Sequence, residues 1–333
     1  MSDAVAHYLW PPRWIEGPPS GLRDTPELFS GPQIADVGDR VFETEFSPDL
    51  RLRVCRDGMF AWDCFSWARK PVEEKQDLDE LGEFQIRCAR LMNAYLGCLH
   101  TYLTHATRIS AVTAKHLLGV RFSDCRLESG TSEEPTGFNL GLSRDEFDVD
   151  DPGVLRLLPV VPVEALQAAS DLFRQLLTRA DQDIALFRAE MLFRGVIAYQ
   201  DFDYGAALGH GWMTIEGLLS DLFRSYLNDQ RDREADEPGM EFMNSKRKRY
   251  LEGSQVTTRV TTEILSLAGR LPHSLYRKIL TSAKARNSWL HGATPDIATR
   301  ELATTTIKTA ELMFEHVEGV KLSMHLERAV HSV

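Results

Sequence analysis

The sequence lacks any apolar run long enough to cross a membrane. No stretch reaches about 18 consecutive apolar residues, the minimum for a membrane-spanning helix. The opening residues include Asp3 but contain no basic cluster followed by an apolar core, so they do not match an export signal. The sequence therefore predicts a cytoplasmic protein with no membrane partner.

Cysteine is also scarce, and its placement excludes two classes of protein. The five cysteines are Cys55, Cys64, Cys88, Cys98 and Cys125, and none forms a C-x-x-C pair. An odd number at wide spacing argues against a disulfide framework and against a cysteine zinc site. We expect reduced thiols, as is usual inside cells, and we expect neither a metal nor an organic cofactor.

Basic charge is in deficit, but unevenly. Residues 1–165 hold 17 Lys and Arg against 27 Asp and Glu, whereas residues 166–333 hold 21 against 22, which together give the net charge of −11. An acidic chain is a poor general binder of polyanions, yet the second half can still present a local basic surface. Its densest basic run is Lys246, Arg247, Lys248 and Arg249. That run is either a patch that contacts RNA phosphates or simply a solvated loop or helix end.

The hydrophobic pattern divides the chain into residues 1–165 and 166–333. In the first part, Leu50 to Val54 alternate with arginines, Asp57 and Gly58 predict a turn, and 59–65 predict a returning strand. Residues 83–118 then follow a helical period, whereas residues 11–33 and 123–151 are rich in turn-forming or charged residues and predict irregular structure. The first domain is therefore expected to be α+β.

The second part is almost wholly helical in pattern, so the fold class is mainly α. Apolar stripes predict helices at 163–179, 181–199, 204–228, 256–269, 273–291 and 296–320, with a polar loop at 229–253. Long helices joined by short turns are typical of an antiparallel four-helix bundle. The glycines from Gly205 to Gly211 have no following Lys-Ser or Lys-Thr, so they predict close helix packing rather than a phosphate loop.

The segment that suggests chemistry is at the end of the 273–291 helix. It contains Lys284, Arg286, Asn287 and His291, and Gly292 follows as a helix stop. A stripe predicted to face the core is formed by Leu280, Ala283, Asn287 and Leu290. Arg286 and His291 are about 140° apart around the helix, so the arginine has to swing toward the histidine.

Such a pair suits cleavage of RNA without a metal. A histidine exchanges protons near neutral pH, and an arginine offers a permanently charged, planar guanidinium that matches phosphate oxygens. The 2′-hydroxyl of RNA can attack the adjacent phosphodiester while His291 moves a proton and Arg286 stabilises the charge on the phosphate.

The arginine, the polar residue after it and the histidine resemble the R-x(4–6)-H signature of the HEPN superfamily. The surroundings match over about residues 181–325: the helix from Asp203 to Asn228, with an inward Glu216, resembles an earlier helix of that domain, and 296–320 resembles its closing helix. The resemblance implies an endoribonuclease whose two-fold homodimer gathers two motifs in one cleft. It also implies bacterial defence, CRISPR-linked or toxin–antitoxin settings, with an antitoxin or a defence-system protein as partner.

Two other hypotheses stay open. Some HEPN proteins are inert, so the helical domain could instead be a non-catalytic module for dimerisation or partner binding. The acidic first domain, for which no family is recognised, could also restrain the nuclease until a trigger arrives.

Overall fold

The computed structural model describes residues 3–9, 13–17, 39–68, 77–103, 109–123, 125–127, 159–232, 244–251, 253, 256–291 and 298–327 of the 333-residue chain. The chain divides into two compact units, Met1–Thr178 with Glu327–Val333, and Arg179–Leu326. None of the helices in the described ranges is long and apolar enough to cross a membrane.

In the part of the chain that the structure describes, the first unit contains a six-stranded antiparallel sheet, a short pair of parallel strands and three α-helices. Its strands are β1 (Ala4–Tyr8), β2 (Trp14–Ile15), β3 (Arg40–Ser47), β4 (Leu50–Cys55), β5 (Met59–Asp63), β6 (Leu118–Arg121), β7 (Arg126–Leu127) and β8 (Val160–Val161). Six strands form the sheet in the order β3–β4–β5–β1–β6–β7, and β2 pairs with β8 in parallel. The helices are α1 (Phe65–Ala68), α2 (Asp77–His100) and α3 (Val163–Leu177).

The predicted hairpin of the first unit is confirmed. β4 and β5 pair antiparallel with Leu52 opposite Trp62, and Gly58 between them has φ +82°, which glycine adopts without steric cost. The second strand ends at Asp63 rather than Phe65, because Phe65 begins α1. Residues 11–33 and 123–151 lie mostly outside the described residues.

Aromatic side chains fill one face of the sheet. Trp62 on β5 lies 5.2 Å from Tyr95 on α2 and 6.1 Å from Phe173 on α3, measured between ring centroids. Tyr95 donates its hydroxyl hydrogen to the carbonyl of Leu166 or to Ser170, at 3.2 Å in each case. α3 therefore completes the core of the first unit, and the division falls after Thr178 instead of at the expected boundary after residue 165.

The long helix of the first unit is shorter than predicted. It ends at His100 instead of continuing to residue 118, and β6 begins at Leu118. The Asn93 side chain on this helix donates to the carbonyl of Val112 at 2.9 Å and accepts from its N–H at 2.7 Å. This pair of bonds holds the chain around Val112 in an extended form beside the helix, which the helical period alone does not reveal.

Over its described residues, the second unit is a bundle of four long helices with two shorter helices. Its helices are α4 (Gln182–Gln200), α5 (Tyr204–Asp232), α6 (Ser245–Leu251), α7 (Thr258–Leu267), α8 (His273–His291) and α9 (Arg300–Glu318). The prediction of a mainly helical second part is confirmed. The predicted loop at 229–253 is wrong at both ends, because α5 continues to Asp232 and the basic run forms α6.

Contacts between named residues fix the direction of the four long helices. Arg188 on α4 donates to the carbonyl of Gly217 on α5, and Gly195 lies against His210, so α4 and α5 are antiparallel. Tyr199 near the end of α4 bonds Arg300 at the start of α9, while Arg188 bonds Glu318 at its end. The chain thus runs up, down, up and down through α4, α5, α8 and α9.

The glycines of α5 confirm the predicted close packing. A methyl group at Gly205 would approach the ring of Trp289 on α8 to 3.0 Å, and one at Gly211 would approach Thr306 on α9 to 3.1 Å. Only the absence of a side chain at these positions allows the neighbouring helices to approach α5 this closely.

Candidate active site

The predicted catalytic residues lie at the C-terminal end of α8. The helix begins at His273 and ends at His291, as the pattern of the sequence predicts. Lys284, Asn287 and His291 are exposed, and Arg286 is half-buried. These side chains are therefore accessible to a ligand in the isolated chain.

The Arg286 side chain is held by its neighbour. Its Nη1 donates a hydrogen bond of 3.0 Å to Oδ1 of Asn287. Among the described residues this is the one hydrogen bond found for its guanidinium, and none is found for the ring of His291. Arg286 and His291 do not bond each other, in keeping with their positions about 140° apart around the helix. Asn287 thus orients the arginine and leaves its other N–H groups able to donate to a ligand.

The prediction of which face of α8 is buried is wrong. Leu290 is 49% exposed and Asn287 is exposed, whereas the buried side chains are Leu275, Ile279, Ser282 and Ala285. The apolar pattern favours the face that carries leucine. The buried face instead uses small residues in the second half of the helix, where a flat contact with neighbouring helices matters more than side-chain volume.

Four helix termini meet at the end of the bundle that carries these residues. The Trp289 ring lies against Gly205 and Gly209 at the start of α5. Tyr199 near the end of α4 bonds Arg300 at the start of α9. We call this region, from the ends of α4 and α8 to the starts of α5 and α9, the motif end of the bundle.

Hydrogen bonds with Tyr199 and Thr304 hold Arg300 at the motif end. Tyr199 Oη is 3.0 Å from both Arg300 Nε and Thr304 Oγ1, and Thr304 Oγ1 is also 2.9 Å from the carbonyl oxygen of Arg300. Each hydroxyl has one hydrogen to donate. Arg300 Nε–H donates to Tyr199, and the single hydroxyl hydrogen of Thr304 is donated either to Tyr199 or to the Arg300 carbonyl. The bond to Tyr199 also raises the pKa of Arg300, which keeps this exposed side chain cationic.

Sequence reasoning missed Arg300 and Tyr199. They are separated by 101 positions in the chain, and no short motif relates them. One local signal was available: Thr299 caps α9 by accepting from the N–H of Leu302, which marks Arg300 as the first residue of that helix.

The basic run does not join the motif end. Lys246, Arg247 and Arg249 on α6 are exposed, and Lys248 donates a hydrogen bond of 3.0 Å to Asn228 on α5. Asn228 is 24 residues after Tyr204 along α5, so at 1.5 Å per residue the two are about 36 Å apart. The structure therefore places Lys284, Arg286, Asn287 and His291 along the last turns of α8, and it places the four basic residues of α6 near the far end of α5.

Glu216 also differs from expectation. It is exposed, not inward, and it accepts from the Thr258 hydroxyl at 3.3 Å. With Ser220, Arg224 and Thr261 it lines an open groove of about 360 Å³ between α5 and the start of α7. The Glu216 carboxylate therefore belongs to a surface groove and not to the bundle core.

His210 lies on α5 against α4, and its surroundings shift its pKa. Burial lowers its pKa, and the nearby Arg194 lowers it further, while Glu190 and Asp203 oppose the shift. Its Nδ1 is buried without a hydrogen bond. These features fit a neutral histidine that packs against Gly195 and has no part in a site.

Within the described ranges, no group of three or more His, Cys, Asp or Glu side chains is arranged to hold a metal ion. No family model matches the chain, and comparisons with curated proteins and with solved structures return no match. The resemblance to the HEPN superfamily accordingly stays a prediction.

Proposed function

We propose that the second unit is a HEPN-type endoribonuclease that cleaves RNA phosphodiesters without a metal, with Arg286 and His291 as its catalytic residues. The observation that supports this most is the end of α8. There Asn287 bonds the Arg286 guanidinium, and the His291 side chain is exposed at the last residue of the same helix.

The reaction follows from the chemistry of these side chains. The 2′-hydroxyl of one nucleotide attacks the adjacent phosphorus, and the bond from phosphorus to the 5′-oxygen of the next nucleotide breaks. His291 takes the 2′-hydroxyl proton or supplies a proton to the departing 5′-oxygen. Arg286 donates hydrogen bonds to the phosphate oxygens as negative charge builds on them. The products are a 2′,3′-cyclic phosphate and a 5′-hydroxyl.

A second chain is part of the proposal. Because Arg286 and His291 of one chain do not meet, we propose an isologous homodimer in which the motif ends of two chains face each other. Each arginine then binds a phosphate close to a histidine, which belongs either to the partner subunit or to the same chain. Lys284 contributes an additional cation at this surface, and the basic residues of α6 contact the RNA backbone farther along the strand.

The experiment uses the purified full chain in excess chelator and a DNA strand that contains one ribonucleotide. We expect cleavage only at the ribonucleotide, with the two product ends described above, identified by mass spectrometry. Arg286→Ala is expected to lower the single-turnover rate by on the order of 10²-fold. The matched control is Arg277→Ala, an exposed arginine on the same helix. Cleavage of all-DNA strands, or products with a 5′-phosphate, contradicts the proposal.

The alternative is a non-catalytic module that dimerises or docks a partner. The absence of any direct contact between Arg286 and His291 in the single chain is the observation that favours it. An RNA that stays intact with a protein that is dimeric by light scattering would support this alternative.

A further inference from the structure

Phe202 occupies a backbone position that ordinarily belongs to glycine. It follows α4, where the N–H of Asp203 donates to Ala198 at 2.9 Å and the N–H of Phe202 donates to Tyr199 at 3.0 Å. These two bonds define a Schellman motif, in which the residue at the position of Phe202 adopts the left-handed conformation. Its φ is +63°, which strains any residue with a Cβ atom and a bulky aromatic one in particular.

Phe202 nevertheless leaves most of its surface exposed to solvent. Phe202 is 60% exposed, and among the large hydrophobic residues of the described ranges only Leu267 at 81% and Tyr250 at 61% are more exposed. A strained aromatic residue that remains on the surface points to a role in binding rather than in folding.

Two further aromatic rings continue from Phe202 toward Arg300. Tyr204 lies edge-on to Phe202 with 6.4 Å between ring centroids, and Tyr199 lies edge-on to Tyr204 at 5.4 Å. Tyr199 in turn holds Arg300 through Nε, as described above. An exposed aromatic face and a fixed guanidinium are therefore joined by direct contacts.

Arg300 is prepared to bind a phosphate. Only its Nε is engaged among the described residues, so its two terminal nitrogen atoms can donate side by side to phosphate oxygens. The nearby carboxylates are turned to helix N-termini: Asp203 accepts from the N–H of Ala206 at 2.9 Å, and backbone and Thr299 bonds lower the pKa of Glu301. Neither carboxylate forms a hydrogen bond with Arg300, although Glu301 interacts with it electrostatically, so the terminal nitrogen atoms of Arg300 keep their hydrogens for a ligand.

We infer that Phe202, Tyr204, Tyr199 and Arg300 form a nucleotide-binding subsite, in which the Arg300 guanidinium binds a phosphate and the Phe202 ring stacks on the adjacent base. Stacking on aromatic rings beside a cation is the general means by which proteins hold unpaired bases. The nucleotide is either one unit of an RNA strand or a free mononucleotide. The strand form rests on the proposed function, because it places the subsite at the bundle end that carries Arg286 and His291.

The test measures binding without cleavage. The probes are a fully 2′-O-methylated oligonucleotide, which lacks the attacking hydroxyl, an abasic strand with the same number of phosphates, and adenosine 5′-monophosphate. Affinities are measured by fluorescence anisotropy or calorimetry on the full chain. We expect Arg300→Ala to weaken binding of both strands at least about fivefold and Tyr199→Phe to weaken it less, because the guanidinium then loses only its anchor. Arg277→Ala is the control that should bind as the wild type does.

Phe202→Gly gives the sharpest readout. Glycine relieves the left-handed strain, so this variant should melt at a higher temperature than the wild type, while its preference for the base-containing strand over the abasic strand disappears. If Phe202 had only a structural role, the higher melting temperature of the variant would not be accompanied by a loss of base preference. Phe202→Trp should retain the preference, and its fluorescence should change when a base stacks on it.

The outcomes separate the sources and the two proposals. Competition by adenosine 5′-monophosphate at concentrations comparable to the strand assigns a free-nucleotide site, and the lack of such competition assigns a strand subsite. If the wild type binds none of the probes, or if Arg300→Ala and Phe202→Gly bind all of them unchanged, the subsite is refuted. If the variants behave as expected but no RNA is cleaved, only the nuclease proposal fails.

Discussion

At the scale of single residues, each unit contains one buried side chain with a testable effect on stability. In the first unit it is a histidine that responds to pH, and in the second it is an arginine that pairs with two carboxylates. His7 on β1 is fully buried, its ring lies 5.4 Å from that of Phe60, and neither of its ring nitrogens has a hydrogen bond among the described residues. Burial, helped by the neighbouring His116, lowers the pKa of His7 to about 3. The folded first unit therefore holds this histidine neutral.

Because His7 is buried in its neutral form, we expect the first unit to lose stability on acidification at pH values well above those at which carboxylates titrate. Below its ordinary pKa of about 6.5, the unfolded chain binds a proton that the folded chain does not, so the free energy of unfolding decreases as the pH is lowered. From pH 7 to pH 5 the loss is roughly 2 kcal/mol from this group. Urea denaturation at the two pH values measures it. His7→Phe should reduce the pH dependence, and equal dependence in both proteins would refute the role of His7.

Arg188 on α4 is the second such residue. Its side chain is 7% exposed, and it donates to Glu318 on α9 at 2.8 Å and to Asp221 on α5 at 2.5 Å. It also donates to the carbonyl of Gly217 at 3.1 Å. One guanidinium thus links three helices of the bundle.

Replacing Arg188 with alanine leaves a largely buried Glu318 carboxylate without its cation. We expect a loss of about 3–5 kcal/mol in the free energy of unfolding, because an uncompensated buried charge is costly. The control is Arg224→Ala, since Arg224 is 57% exposed and 3.3 Å from the same Asp221. That change should cost less than about 1 kcal/mol. Denaturant titrations of the two variants that give the same loss would contradict this account.

At the scale of elements, the close approach of α5 to its neighbours depends on glycine. Gly211 is buried where α5 meets α9, and a Cβ atom there would be 3.1 Å from Thr306 and 3.5 Å from the backbone nitrogen of Ile307. The contact with the Thr306 side chain would be tight, and the backbone of α9 is already at van der Waals distance, so a branched side chain at this position has no room unless the two helices separate.

Gly211→Val is expected to destabilise the bundle by about 1–3 kcal/mol through overpacking. The comparison is Gly82→Ala on α2, where nothing lies within 4 Å of the added methyl group. That second change should stabilise the protein by up to about 1 kcal/mol, because alanine favours the helix more than glycine does. Thermal melts of both variants test the pair, and a stabilised Gly211→Val would show that α5 and α9 are not in close contact.

The elements themselves were largely predictable, but not which of their faces are buried. The bounds of α8 follow from its period, Pro272 before it and Gly292 after it, yet its buried face is Ser282 and Ala285 rather than Asn287 and Leu290. Hydrophobicity ranks leucine above serine, whereas a close contact between helices selects for small side chains. The sequence also could not place Arg300 beside Tyr199, because that contact exists only once α4 and α9 pack together.

At the scale of the whole molecule, two groups of basic residues lie near opposite ends of α5. The motif end carries Arg286 and Arg300, and the basic residues of α6 lie about 36 Å away along α5, judged from its rise of 1.5 Å per residue. A strand that contacts both regions must extend along the bundle. We therefore expect the salt dependence of RNA binding to become shallower when Lys246 and Arg249 are both replaced with alanine, while the preference for a base over an abasic site is retained.

The most direct test of the central proposal is the single-turnover rate at which His291→Ala cleaves a strand with one ribonucleotide in excess chelator. The proposal predicts a rate lower than that of the wild type by about 10²–10⁴-fold, the usual contribution of a general acid or base. The control His273→Ala changes an exposed histidine at the other end of the same helix and should cleave at the wild-type rate. If His291→Ala cleaves as fast as the wild type, His291 is not the catalytic base and the proposed site at the end of α8 is wrong.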